Sequence, residues 1–230
     1  MSTKEEDNSE LSEENGELEI AFKLIIIGDS GVGKSCLALK AIKDFFDDYY
    51  SPTVGFEFMT YISKVEEVNV KLQIWDTCGQ EAYRSLITSF YRNSSLAIIV
   101  YSIDSEESFQ NIETWINDVK TQSNPDIKMV LIGNKNDLEG ERKVSKEEGE
   151  RFCTDHNLSL FMETSAKTGF NSKKLFDEVA KILYQEYKTV KANGNKFGSN
   201  YNSSGFQANA DPVLQNDNNN EEERKKKCSC

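Results

Sequence analysis

Residues 28–35 read GDSGVGKS and follow directly on FKLIII, a run of strand length that is apolar at every position but Lys23. This junction constrains the fold more than any other stretch. A buried strand that ends in glycine, turns through a glycine-rich loop and enters a helix is one arm of a βα unit. Gly28, Gly33, Lys34 and Ser35 fill every fixed position of the pattern G-x-x-x-x-G-K-S. In such a loop successive backbone N–H groups converge, and the following helix adds the positive end of its dipole, so the pair makes a nest for an anion. Lys34 has the reach to touch the outer phosphates of a nucleotide, and the Ser35 hydroxyl suits Mg²⁺. A plain glycine turn between strand and helix would need neither side chain.

The rest of the chain supplies the partners of that unit. VKLQIWD alternates Val70, Leu72 and Ile74 with Lys71 and Gln73, as a half-covered strand does. LAIIVYS, KMVLIGN and LSLFMET are three more buried-strand candidates. Helical periods alternate with them, one through Phe109, Ile112, Ile116 and Val119, another, after the last, through Leu175, Phe176, Val179, Ile182 and Leu183. This alternation implies an α/β fold with a largely parallel sheet covered on both faces. The folded domain is expected over residues 20–187. Residues 1–19 carry eight acids against Lys4, a net charge of −7, and read as an acidic disordered arm. Beyond about Lys188 the periodicity stops and Asn, Gly and Ser dominate, so residues 188–230 read as a flexible tail.

Charge and cysteine usage exclude some classes. A formal net charge of −12 opposes nonspecific nucleic-acid binding. No apolar stretch reaches the ~18 residues needed to cross a bilayer. The five cysteines are scattered, odd in number and without a secretory signal, which favours a reducing compartment and the cytosolic side of the cell.

Three further motifs end strands. In WDTCGQE, Asp76 stands at a carboxyl end, where a carboxylate holds Mg²⁺ through water, and the Gly79 N–H is placed for a γ-phosphate. In GNKND, Asp137 offers two acceptor oxygens to N1–H and the 2-amino group of guanine, a pairing that adenine lacks. In ETSAK, the Ala166 N–H suits the guanine O6.

The order GDSGVGKS, Thr53, DTCGQ, NKND, SAK resembles the small Ras-like GTPases. KLQIWDTCGQEAYRSL and YRNSSLAIIVYSID resemble the Rab branch, and LIGNKNDLEGERKVSKEEGERF with FMETSAKTG is most similar to Golgi-associated Rabs. The resemblance spans roughly residues 22–187. It implies a P-loop small GTPase fold, a mostly parallel six-stranded sheet flanked by about five helices. It implies GTP or GDP as ligand, Mg²⁺ as cofactor, and contacts to nucleotide from Asp29, Ser30, Gly31, Val32, Gly33, Lys34, Ser35 and Cys36. Phe46 would pack on the base, Lys135 would lie along it, and Asn134 would tie the base loop to the phosphate loop. Leu138, Ser165 and Lys167 complete the base side. Thr53 would join Ser35 and Asp76 at the metal, and Gln80 would orient the attacking water while Lys34 stabilises charge on the phosphoryl oxygens. Phe58, Trp75 and Phe90 match the aromatic trio that Rabs present to effectors, although core packing is the plainer role for Trp75 alone.

Hydrolysis would be slow, since the matched motifs hold no evident arginine finger, and it would release switch loops that GTP keeps ordered through Thr53 and Gly79. The implied partners are an exchange factor, a GTPase-activating protein, a GDP-dissociation inhibitor, a Rab escort protein with geranylgeranyl transferase, and effectors of vesicle trafficking. The implied state is a monomer on the cytoplasmic face of Golgi or endosomal membranes, cycling through the cytosol. Two departures bear on turnover. Cys78 stands where similar proteins usually carry Ala, and Ala82 where they carry a polar residue. Cys78 reads as a small hydrophobe rather than a nucleophile. A hydrolysis-impaired nucleotide-binding scaffold, a Ras-like signalling GTPase and a P-loop ATPase or kinase are the competing readings, and Asp137 opposes the last.

The final residues RKKKCSC admit a disulfide, a metal or a lipid. A Cys228–Cys230 disulfide would close a strained small ring, and zinc would lack its other ligands. The C-x-C end resembles the doubly geranylgeranylated termini of Rabs. One lipid anchors marginally and two durably, with up to ~1 kcal/mol more from each of Arg224, Lys225, Lys226 and Lys227 near anionic lipid. Glu221, Glu222 and Glu223 would offset part of that attraction.

Overall fold

A computed structural model of the chain describes residues 19–48, 53, 55–78 and 90–192. Its six strands are β1 (Glu19–Ile27), β2 (Phe56–Val65), β3 (Val68–Thr77), β4 (Leu96–Ser102), β5 (Lys128–Asn134) and β6 (Leu160–Glu163), in the order β2-β3-β1-β4-β5-β6. Strand β2 runs antiparallel to β3, and the other pairings are parallel. The α-helices among the described residues are α1 (Lys34–Lys43), α2 (Glu106–Gln110), α3 (Ile112–Gln122), α4 (Lys146–Asp155) and α5 (Ser172–Ala192), and a 3-10 helix spans Asn136–Glu141.

The apolar continuity of β1 follows from its central place. Phe22, Leu24 and Ile26 enter one core with Leu37 and Ala38 of α1 and Leu175, Phe176 and Val179 of α5. Ile25 and Ile27 point the other way, into a second core with Ile112, Trp115, Ile116 and Val119 of α3. A strand covered on both faces leaves little room for polar side chains, and Lys23, the one charged residue between Phe22 and Ile27, reaches out to the Arg92 carbonyl at 2.9 Å. Strand β1 pairs with β3 on one side and with β4 on the other, so the strand order reverses there. Open α/β sheets form their ligand crevice at such a point, beyond the carboxyl ends of the strands.

Four features depart from the pattern reading. Strand β2 is absent from the strands read in the sequence: Phe56, Phe58 and Ile62 are exposed, while Ser63 is buried on the same face as Val65. Its inner face is held by polar bonds, with Tyr61 Oη and Ser63 Oγ both donating to Asp177 Oδ1 of α5 at 3.0 and 2.7 Å. Glu19, counted with the acidic arm, belongs to β1, where it pairs in register with Asn69 and sits 3.3 Å from Lys71 Nζ. Helix α5 runs on to Ala192, past the point where apolar periodicity ends, and on this last stretch Lys188 reaches Glu66 of the β2–β3 turn at 2.6 Å and lies over the Tyr184 ring. The helical period of residues 109–119 is divided at Asn111 into α2 and α3. The expected features of residues 1–18 and 193–230, Cys228 and Cys230 included, lie outside the described residues.

Candidate functional site

The loop between β1 and α1 needs its glycines for space. A Cβ on Gly28 (φ 139°) would stand 2.1 Å from the Val100 carbonyl oxygen, so the loop's first turn passes directly over β4. A Cβ on Gly33 (φ 93°) would meet Asn134 Nδ2 at 2.5 Å. That close approach is used: Asn134 Nδ2 donates to the Val32 carbonyl at 2.8 Å, and its Oδ1 accepts from Thr164 Oγ1 at 3.1 Å. One amide thus ties together the loops that follow β1, β5 and β6.

These loops enclose a cavity of about 360 Å³. Its phosphate end is lined by Ser30, Gly31, Gly33, Lys34, Ser35 and Cys36, its other end by Asn134, Lys135, Asp137, Leu138, Ala166 and Lys167, and Phe46 and Thr53 close the side. Four other residues expected at the site do not line it. Val32 is packed in the core, and the Asp29 side chain is turned toward α3. Asp76 lies beneath Ser35, and Ser165 supports Asp137, its Oγ donating to Asp137 Oδ1 at 2.5 Å. Gly79, Gln80 and Ala82 lie outside the described residues.

Lys34 is 5% exposed, and its ammonium donates to the Gly28 and Asp29 carbonyls at 2.8 and 2.7 Å. Burial pushes its pKa down to about 8, opposed by the carboxylates of Asp76 and Asp29. Burial pushes Asp76 the other way, up to about 6, against the Ser35 hydrogen bond and the Lys34 charge. The Ser35 hydroxyl donates to Asp76 Oδ2, and Thr53 Oγ1 lies 2.6 Å from Ser35 Oγ. The second oxygen, Asp76 Oδ1, is buried and has no hydrogen-bond partner among the described residues. Two hydroxyls and a carboxylate with a spare buried oxygen form the hard, all-oxygen donor set that Mg²⁺ prefers. The residues present therefore fit the metal.

Several supporting residues were not singled out from sequence. Arg142 bridges Glu163 at 2.6 and 3.0 Å and also bonds Glu139, while Asn136 Nδ2 donates to Glu163 at 2.9 Å, so a fork of charge braces both base loops. Asp104 stands 3.8 Å from Lys135 Nζ. Asp47 and Asp48 line the cavity mouth, and Asp48 lies 3.3 Å from Lys167 Nζ. All are acids, amides or arginine, which no short spacing rule distinguishes from ordinary surface residues.

On the flank of the site, β2 and β3 carry an aromatic cluster. Trp75 lies 5.2 Å from Phe58 and 5.0 Å from Phe90 between ring centroids, so the expected trio is contiguous. Phe56 adds a fourth ring, 4.5 Å from Phe90 and 5.6 Å from Trp75. Phe56 and Phe58 are each 51% exposed. Cys78 is buried in the second core, and its N–H donates to the Gly55 carbonyl at 3.0 Å.

Comparison with protein-family models matches residues 23–185 to the Ras family. The match covers most of the chain and includes every strand that shapes the cavity. The chain belongs to the Ras family of small GTPases.

Proposed function

We propose that this GTPase is a Rab-type switch that recruits effectors to an intracellular membrane in vesicle trafficking. The observation that carries the reading is the contiguous cluster of Phe58, Trp75 and Phe90, in which Phe58, with neighbouring Phe56, is half exposed over the partly buried Trp75 and Phe90, and in which Trp75 stands one residue before Asp76 of the site. Large exposed apolar patches mark interaction surfaces, and this one adjoins the groups expected to sense the γ-phosphate.

In this reading the cavity holds a guanine nucleotide. Asp137, steadied by Ser165, accepts from the base, and Ala166 and Lys135 complete base selection. Lys34 and the amides of the β1–α1 loop hold the phosphates and stabilise charge as the γ-phosphoryl group is transferred to water. Ser35, Thr53 and Asp76 would hold Mg²⁺, which supplies Lewis-acid neutralisation of phosphate charge. Gln80 orients the water, and an activating protein supplies the missing cation. Cys228 and Cys230 carry two prenyl groups, with the basic run before them adding attraction to anionic lipid. The working location is the cytoplasmic face of a Golgi or endosomal membrane.

Two measurements test the proposal. GTP-loaded protein is expected to retain effectors that GDP-loaded protein releases, and Phe58→Ala is expected to abolish that difference while leaving GDP binding intact. Equal capture by both loaded forms would refute the switch. Intact-mass analysis of native protein is expected to show two prenyl additions, and a Cys228→Ser, Cys230→Ser variant that still pellets with membranes would refute the tether.

A further inference from the structure

Asp29 presents an electrostatic problem, because it places a carboxylate in a loop built to attract phosphate. Ser30 and Gly31, the next two residues, line the cavity, and Asp29 does not. Its side chain turns to the opposite side, where Oδ2 accepts from Asn111 Nδ2 at 2.7 Å and Oδ1 from Trp115 Nε1 at 2.8 Å. Both donors are fixed. Trp115 is 1% exposed in the second core, and Asn111, at the junction of α2 and α3, spends no side-chain bond on capping its helix. They stand four residues apart and so share one helix face. Both carboxylate oxygens are engaged, and the Asp29 carbonyl is one of the two that hold the Lys34 ammonium.

We propose that Asn111 and Trp115 are positioning residues of the nucleotide site, holding the Asp29 carboxylate away from bound phosphate and fixing the first turn of the loop. The inference rests on the guanine-nucleotide reading above. Without the two donors, the carboxylate is free to rotate toward the phosphate nest. A negative charge brought close to a polyanion in a partly buried site repels it far more strongly than in water.

This role differs from a plain structural rivet in one measurable respect. If the clamp restrains a harmful charge, deleting that charge must repair the damage done by deleting the donors. The experiment follows release of fluorescently labelled GDP from the full chain with Mg²⁺ present. The Asn111→Ala, Trp115→Phe double variant is expected to release GDP about 10-fold faster than wild type. Adding Asp29→Ala is expected to bring the rate back to within about 3-fold of wild type. The repair is expected to shrink at high salt, which screens the freed charge. Asn111→Ala alone leaves the buried ring in place and is expected to show a smaller acceleration, again reversed by Asp29→Ala. It carries the test if the double variant does not fold. Release that is unchanged in the clamp variants, or no slower after Asp29 is removed, overturns the positioning role while leaving the nucleotide reading intact. Wild-type protein that holds no labelled GDP overturns the nucleotide reading itself.

Discussion

Tyr101 carries a cost that the fold does not relieve. The residue is fully buried on β4, its ring packs edge-on against Phe109 at 4.9 Å, and its hydroxyl has no hydrogen-bond partner among the described residues. The space for that hydroxyl comes from two glycines: a Cβ on Gly133 or on Gly149 would lie 2.8 Å from it. An orphaned buried hydroxyl costs roughly 1–3 kcal/mol, so Tyr101→Phe is expected to raise stability by about 1 kcal/mol in urea unfolding. A loss of stability instead would mean that the hydroxyl binds a buried water. At this same scale, the parts of the site legible in the sequence were those whose chemistry is tied to fixed spacing, such as Lys34, Ser35 and Asp137. Asn111, Trp115 and Arg142 were not legible, because each acts through a partner far away in the chain. Asp29 held a usable signal. An acid inside a phosphate-binding loop requires a donor somewhere, and the question of which donor has a structural answer.

Among elements, β2 depends most on a single neighbour. Among the described residues it is an edge strand that pairs with β3 alone, and α5 holds its inner face through Asp177, which accepts from both Tyr61 and Ser63. The Tyr61 ring also lies 5.4 Å from Phe176. Asp177→Ala leaves two hydroxyls on that face without their acceptor and is expected to cost about 1–2 kcal/mol. The loss should appear as faster amide hydrogen exchange in β2 than in central β1, since edge strands open before the core. Uniform acceleration across the sheet would show that the seam stabilises the whole domain rather than its edge. The same polarity explains why β2 was invisible to pattern reading. A strand with Phe56, Phe58 and Ile62 exposed and Ser63 buried breaks the rule by which strands are recognised. The other five strands follow that rule and were legible. Helix α4 was missed for a different reason: its apolar face is short, although the Ser145 and Glu148 capping box that begins it is present in both sequence and structure.

For the molecule as a whole, the net charge of −12 means that nothing at long range draws a nucleotide in. Affinity has to come from the cavity alone. That cavity is built from loops together with the start of α1 and the carboxyl ends of β3 and β5, joined by the bonds of Asn134, Ser35, Ser165 and the Arg142–Glu163 fork. A ligand that touches all of them at once adds its own links to those the protein already makes between these segments. Binding to the folded state alone adds RT ln(1 + [L]/Kd), about 2.7 kcal/mol at a hundredfold excess over Kd. For a domain of this size each kcal/mol shifts the melting point by about 2–4 °C, so GDP with Mg²⁺ is expected to raise Tm by roughly 5–10 °C. Chelating the metal should remove part of that gain and speed GDP release, because Asp76 Oδ1 then returns to being a buried oxygen without a partner. ATP at the same concentration should give no comparable rise, since Asp137 has no donor pair on adenine to accept from. An equal shift with ATP would refute base selection by Asp137, and no shift with GDP would refute nucleotide binding at the cavity.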